Sequence, residues 1–396
     1  MQSRYFWAHF RVVPTLVLAL VAGLALASPA LAVLPIRVGV YTPGPLDGIT
    51  DVPGVRVANL TLIAGTDVRT GATAILPNAD PWDRKVAAAT FILNGNGEMT
   101  GTHWINEAGY LEEPIVLTDT MDVGLADNGV ISWVEQHEPH VGLTDDVPLP
   151  VVAECDDQLL NDIRGRHVRS ADIVKLLNSE ETGQFARGSV GAGTGMRAFD
   201  FKGGIGSASR VISRRDGGYT VGVLVNDNTG STRRQLVIDG VPVGRLLGNV
   251  DRTTFPHPTA LRGRMASGSI IVVVATNAPL DSRQLHALAK RAALGMARTG
   301  LTSDVGSGDL FIAFSTGYVY RHIAPFRVKA PAIATLEADR KLNSLYRATA
   351  EATQAAIYDA LFEATTITGR GGVTVHALPK RRVEALLARV RAAERR

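Results

Sequence analysis

Residues 270–276 read Ile-Ile-Val-Val-Val-Ala-Thr, the most apolar stretch outside the first 32 residues and almost entirely β-branched. Side chains of this type are stiff at χ1 and pack well on a pleated surface. A run that is apolar on both alternating faces suits a central strand covered on both sides. Such a strand demands a layered fold. Gly268-Ser269 stands directly before it, and glycine lets other atoms approach that peptide bond closely. Two readings of the junction stand at this point. It is a turn before a buried strand, the usual meaning of Gly-Ser, or a bond the chain cuts so that Ser269 becomes a nucleophile.

Other strand-like runs are Pro114–Thr118, Val147–Glu154, Tyr219–Asn226 and Asp309–Ser315. Asp281 followed by Gln284 forms a capping-box pattern for a helix through Arg298, ending near Gly300. A second helix is expected from Glu337 to Ala364, with Leu342, Leu345, Tyr346, Ile357 and Leu361 along one face. Gly369, Gly371 and Gly372 end that region before a short strand at Val373–Ala377. Strands mixed with long helices point to a layered α/β architecture.

Residues 1–32 read as a targeting segment. Arg4 and Arg11 give a positive start, residues 12–27 are mostly apolar, and Ala30-Leu31-Ala32 fits a small-x-small cleavage site. The apolar run is interrupted by Pro14 and Gly23 and is short for a membrane span. The expectation is a secretory signal, export to a periplasm or the outside, a single domain over 33–396 and no stable membrane insertion after the signal is removed. Without Arg4 and Arg11 the net charge falls from +3 to +1, while residues 380–396 alone carry +5. That tail has no aromatic residue, and Val383, Leu386, Leu387 and Val390 follow helical spacing. It reads as a surface helix with a solvated basic face, not as a nucleic-acid footprint.

Cys155 is the single cysteine, so no internal disulfide is available. No CxxC or HExxH is present, and His137 and His140 flank Pro139 without an acidic third ligand. They read as exposed loop histidines, and no metal or cofactor is expected. The glycine-rich segments Asn94–Gly101, Gly188–Gly195 and Gly203–Gly206 have GxGxG-like spacing rather than GxGxxG between a strand and a helix. They read as tightly packed backbone beneath a pocket. Three polar groups sit at strand ends: Asn226-Asp227-Asn228, Ser307-Gly308-Asp309 and Glu154. Carboxamides there can donate to an oxyanion or simply make a turn. A carboxylate there can bind an ammonium or simply cap the strand.

Taken in order, the segments Ile49–Val57, Asn94–Gly101, Gly188–Arg210, Gly268–Leu280 and Ser307–Thr316 resemble the β-peptidyl aminopeptidase / L-aminopeptidase–D-amidase/esterase family of self-processing hydrolases. The resemblance covers nearly all of residues 33–396. It implies an α/β/β/α sandwich like that of N-terminal-nucleophile hydrolases. It implies a cut between Gly268 and Ser269, giving an α chain of 33–268 and a β chain of 269–396, with Ser269 as nucleophile. By the same resemblance Asn228 is the oxyanion donor, with Asn226 as the alternative. Ser307 and Asp309 orient the new amine, and Glu154 receives the substrate's amino group. Relatives assemble as homo-oligomers, commonly tetramers.

Two departures bear on specificity. Cys155-Asp156-Asp157 stands where the family often has an aromatic residue, and Thr118-Asp119-Thr120-Met121-Asp122 replaces the usual Thr-Asn-Thr pattern. Both are expected to add negative charge near the pocket. The leading expectation is an exported, self-activated serine aminopeptidase or amidase acting on short peptides, amides or esters through an acyl-Ser269 intermediate. An acyltransferase of the ornithine acetyltransferase type is one rival, although those enzymes normally use threonine. A non-catalytic binding protein of the same fold is the other.

Overall fold

The protein is described by a computed structural model covering residues 36–256, 268–322 and 341–394. The expected leader, 1–32, and the start of the helix expected from Glu337 lie outside the described residues. The strands, in order, are β1 (Arg56–Ala64), β2 (Val68–Leu76), β3 (Arg84–Gly95), β4 (Tyr110–Leu111), β5 (Ile115–Thr118) and β6 (Val151–Glu154). They continue with β7 (Arg197–Ala198), β8 (Phe201–Lys202), β9 (Gly204–Val211), β10 (Thr220–Thr229), β11 (Gly268–Thr276) and β12 (Gly308–Arg321). The helices are α1 (Thr102–Ala108), α2 (Val123–His137), α3 (Ser170–Leu177), α4 (Val243–Leu246), α5 (Ser282–Ala297), α6 (Lys341–Glu363) and α7 (Lys380–Glu394).

One sheet has the order β1-β2-β5-β6 and the other β4-β3-β12-β11-β10-β9. The apolar run is β11, paired antiparallel to β10 and parallel to β12, with every residue from Gly268 to Thr276 buried. Its alternation explains why both faces are apolar. Ile270, Val272 and Val274 pack with Leu285 and Leu288 of α5 and Ile357 and Leu361 of α6. Ile271, Val273 and Ala275 face the other way, onto Ile75, Leu117 and Ala153 of the second sheet. The outer face of that sheet, including Ala74, Val116 and Val152, is covered by Val130 and Trp133 of α2 and Ile173 and Leu177 of α3. The order of layers is therefore α/β/β/α, as expected. Each fully buried Val or Ile of β11 contributes about 1.5–3 kcal/mol relative to exposure.

The capping box before α5 forms as its spacing implies: Asp281 Oδ1 accepts from Gln284 N at 2.7 Å, and Gln284 Oε1 accepts from Asp281 N at 3.1 Å. In α7, Val383 and Leu387 are buried while Arg381, Arg382 and Arg389 are exposed, matching the amphipathic reading. Three boundaries differ. The run before Glu154 becomes a strand only at Val151, because Pro148 and Pro150 have no N–H to place in a ladder. The segment 373–377 shortens to Thr374–Val375, paired with Ile367–Thr368. Most consequentially, β10 continues past Asn226 to Thr229, because Asp227 pairs with Gly204 on one side and Asn228 with Ser269 on the other. Asn226-Asp227-Asn228 is strand interior, not a turn.

Candidate active site

At one end of the six-stranded sheet a single cross-strand row holds Asn228, Ser269, Gly308 and Gly95. Directly opposed residues share a face, so Asn228 and Ser269 point toward the gap between the sheets, the same side as Ile271. Gly268 takes φ +82, and a Cβ there would lie 2.6 Å from Asn228 O and 2.8 Å from Thr229 Cα. Only glycine enters that conformation without strain. The chain therefore reaches Ser269 through a left-handed kink pressed against β10. Ser269 is 7% exposed, and its Oγ accepts the Gly308 N–H at 3.2 Å.

Asn228 is oriented by two backbone partners. Its Oδ1 accepts from Arg197 N at 2.8 Å, and its Nδ2 donates to Asp156 O at 2.9 Å. A carboxamide nitrogen carries two hydrogens, so one donor remains after the Asp156 bond. Arg197 is itself held, with its guanidinium 3.0 Å from Asp200 Oδ1. Arg233 and Thr253 also bind that Asp200 carboxylate, which lies below the usual range despite its burial because Arg197, Thr253 and Arg233 stabilise its charge. Phe199 and Asp200 both take positive φ, 51 and 63, to make the tight turn between β7 and β8. Asn226 lies two residues deeper on the same face as Asn228, fully buried, with neither side-chain polar atom hydrogen-bonded among the described residues.

Ser307 donates to Asp309 Oδ1 at 2.6 Å, and Ser303 donates to the other carboxylate oxygen. Asp309 opposes Ile270, so its side chain lies on the helix side of the sheet, across from the face that carries the Ser269 hydroxyl. Burial raises the Asp309 carboxyl above its ordinary range, against the two serine hydrogen bonds. Asn94 Nδ2 donates to the carbonyls of Asp304 and Ser307, each at 2.7 Å, fixing the loop that carries Ser307. The reach is made by a bulge: Asp309 opposes Asn94 but Leu310 opposes Ile92, leaving Leu93 extra on β3.

Glu154 ends β6 at 4% exposure, accepting from Glu98 N at 3.0 Å and from the Thr120 hydroxyl. Burial raises its carboxyl, against those two donors. A Cβ on Gly97 would lie 3.1 Å from Glu154 Oε1 and 3.3 Å from Gly308 Cα. The Asn94–Gly101 loop thus passes between Glu154 and the Ser269 row, with glycine where a side chain would fill the gap. This is the clearest use of a glycine-rich segment in the chain. The Gly188–Gly195 segment instead packs against the sheets; a Cβ on Gly191 would lie 2.3 Å from Thr73 Oγ1.

Burial works against the expected extra negative charge at Asp119, Asp156 and Asp157. Asp119 accepts from Met121 N at 2.8 Å and from Thr70 Oγ1 at 3.1 Å, and desolvation, with Asp157 and Asp122 close by, pushes it up to about 9. Asp157 is pushed up to about 7, chiefly by burial. Burial raises Asp156 too, against hydrogen bonds from Gln158. Asp119 therefore keeps its proton at neutral pH. Nearby, burial brings Lys202 down to about 7, against the pull of Asp227 and Asp157, and pushes Asp227 up to about 7. Lys202 Nζ spends its donors on Gly193 O at 2.9 Å and Gly203 O at 2.8 Å.

Linkage makes the Asp119 assignment testable. With a folded value near 9 against 3.8 unfolded, the native state holds a proton that the unfolded chain has released across that window. Stability from this group is complete below the unfolded value and is lost as pH rises toward 9. Asp119→Asn is expected to raise the melting temperature at pH 8 by at least about 3 °C, with the gain vanishing near pH 4. An equal shift at both pH values in thermal melts would refute the buried neutral acid.

His137 is not a loop residue. It is exposed, as expected, but it ends α2, with its ring 4.3 Å from that of Trp133. No cluster of three or more potential metal ligands occurs among the described residues. The residues that sequence reasoning missed are Thr120, Asn94, Arg197 and Asp200. All four lay within segments already singled out, but the roles of Arg197 and Asp200 come from contacts with β10 and the 251–253 segment, which no local pattern carries.

The family model of peptidase family S58 matches residues 47–375. The chain is 40% identical to a β-peptidyl aminopeptidase BapA from Sphingosinicella microcystinivorans, covering 94% of this chain and 97% of that protein. Among solved structures, the PH0078 protein from Pyrococcus horikoshii OT3 superposes with a TM-score of 0.82 at 41% identity, covering 90% of this chain and 98% of the other. The L-aminopeptidase D-Ala-esterase/amidase from Ochrobactrum anthropi, described as a variant of the Ntn hydrolase fold, gives 0.78 at 37% identity, with 89% and 96% coverage.

Proposed function

Because the chain belongs to peptidase family S58 and is a hydrolase of the aminopeptidase/amidase kind, we propose that it is exported, cuts itself between Gly268 and Ser269, and then removes N-terminal residues from short peptides, amides or esters through an acyl-Ser269 intermediate. The observation that carries this reading is the row Asn228–Ser269–Gly308, in which a kinked Gly268 precedes a serine opposite a carboxamide with one N–H to spare.

In the first step the Ser269 hydroxyl adds to the Gly268 carbonyl carbon. The Gly268–Ser269 C–N bond then breaks, its nitrogen leaves as an amine, and an ester joins Gly268 to Ser269 Oγ. Water hydrolyses that ester and leaves a Gly268 carboxylate and an N-terminal Ser269. The new α-amine has a reference pKa of about 7.7–8.0, so near neutral pH a useful fraction is free to take the hydroxyl proton. No histidine is required.

The same groups then serve turnover. Ser269 Oγ attacks the substrate carbonyl, the free Asn228 N–H stabilises the oxyanion, and the amine returns the proton to the leaving group. Ser307 and Asp309 support the far side of the strand at the amine. Burial raises the Glu154 carboxyl, and a substrate ammonium within about 4–6 Å would favour its charged form. That pairing favours substrates with a free amino terminus. Denaturing electrophoresis with N-terminal sequencing tests the reading. Two chains are expected, the smaller of 128 residues beginning Ser-Ile-Ile-Val; a single intact chain in active protein would overturn it.

A further inference from the structure

A second cleft lies at the far end of the strands from Ser269. Gly95 stands in the Ser269 row, whereas Lys85, near the start of the same strand, borders this cleft's wall; the ten-residue separation is about 30 Å of strand. The cleft has a volume of about 170 Å³ and lies between the β2–β3 loop, the β4–β5 connection and the end of α2. Its lining includes Trp82, Trp133, Asp80, Glu112, Glu113 and Glu138.

Glu112 is fully used: it takes the Lys85 ammonium on one oxygen and Trp104 Nε1 at 2.7 Å on the other. Glu113 is not. It is 1% exposed, and neither carboxylate oxygen has a hydrogen-bond partner among the described residues. Burial, with Glu112 beside it, raises its carboxyl well above the ordinary range, against the pull of Lys85 and the Leu149 backbone. Lys85, the cation whose field reaches Glu113, is already committed to Glu112 and lies 4.6 Å from the Trp82 ring centre and 5.3 Å from that of Tyr110. A buried acid with no partner is costly unless something supplies one.

Three independent features at this place favour a cation. Asp80, Glu113 and Glu138 all line the cleft, Trp82 and Trp133 line it beside them, and α2 ends here, bringing the negative end of its dipole. We propose that this cleft binds a small primary alkylammonium, with its charged head at Glu113 and its stem along Trp82 and Trp133. The site is separate from Ser269 and does not depend on the chemistry there.

n-Butylammonium is the probe, followed by calorimetry and by tryptophan fluorescence, with 1-butanol as the neutral control. Saturable binding with a dissociation constant of about 1 mM or tighter is expected, at least about tenfold weaker in Glu113→Gln and weakened also in Glu138→Gln. Turnover of both variants should be unchanged, which shows that they fold. No saturable binding, equal binding of 1-butanol, or binding that survives Glu113→Gln but is lost in Glu154→Gln would each overturn the proposal; the last outcome would place the amine in the substrate pocket.

Discussion

Ser269→Ala is expected to accumulate as one uncut chain and to lose turnover by about 10⁶-fold, the scale seen when a serine hydrolase loses its nucleophile. The side chain removed is small, and its recorded hydrogen bond is the one from Gly308 N–H. The β11 ladder and the apolar contacts of Ile270 to Ala275 remain, so the variant should melt within a few degrees of the parent. That separates chemistry from folding. Ser269→Cys, which keeps a nucleophilic atom, should still process. Cleavage that persists at residue 268 in Ser269→Ala would sink the assignment, because no other hydroxyl occupies that row.

Asn228→Ala is expected to lower kcat by about 10²–10³-fold, or roughly 2.7–4 kcal/mol, if its free N–H meets the oxyanion. The effect should fall on kcat and leave KM nearly unchanged, since the interaction forms only in the transition state. Self-cleavage should slow in parallel, as the Gly268 carbonyl develops the same charge. The substitution also releases Arg197 N and Asp156 O, each bond worth about 0.5–1.5 kcal/mol, so some loss of stability will accompany it. A loss seen only in melting temperature, with kcat intact in the folded protein, would move the oxyanion role to backbone amides. Asn226 is a poor substitute on geometry, being two residues deeper and wholly buried.

Much of the scaffold is legible from local pattern. The β11 run announces a strand buried on both faces, the Asp281–Gln284 spacing a capped helix, and the spacing of Val383 and Leu387 an amphipathic one. Each depends on neighbours within a few residues. The extension of β10 through Asn228 was not legible, because Asn and Asp are turn formers by themselves and only pairing with Gly204 and Ser269 holds them extended. The two prolines before Val151 carried a warning in their missing N–H groups, and the shorter β6 follows from it.

The sequence by itself determined that this chain builds a layered α/β fold around a buried β-branched strand, and that a Gly-Ser pair opens that strand. Periodicity and residue stiffness act locally, so they survive without knowledge of the fold. Only the tertiary structure decided which face each polar residue takes: Ser269 and Asn228 toward the gap between sheets, Asp309 toward the helices. It also decided that burial raises the Asp119 carboxyl and that Glu113 is buried with no hydrogen-bond partner among the described residues. Register, burial and electrostatic environment are set by segments distant in sequence, and no local pattern carries them.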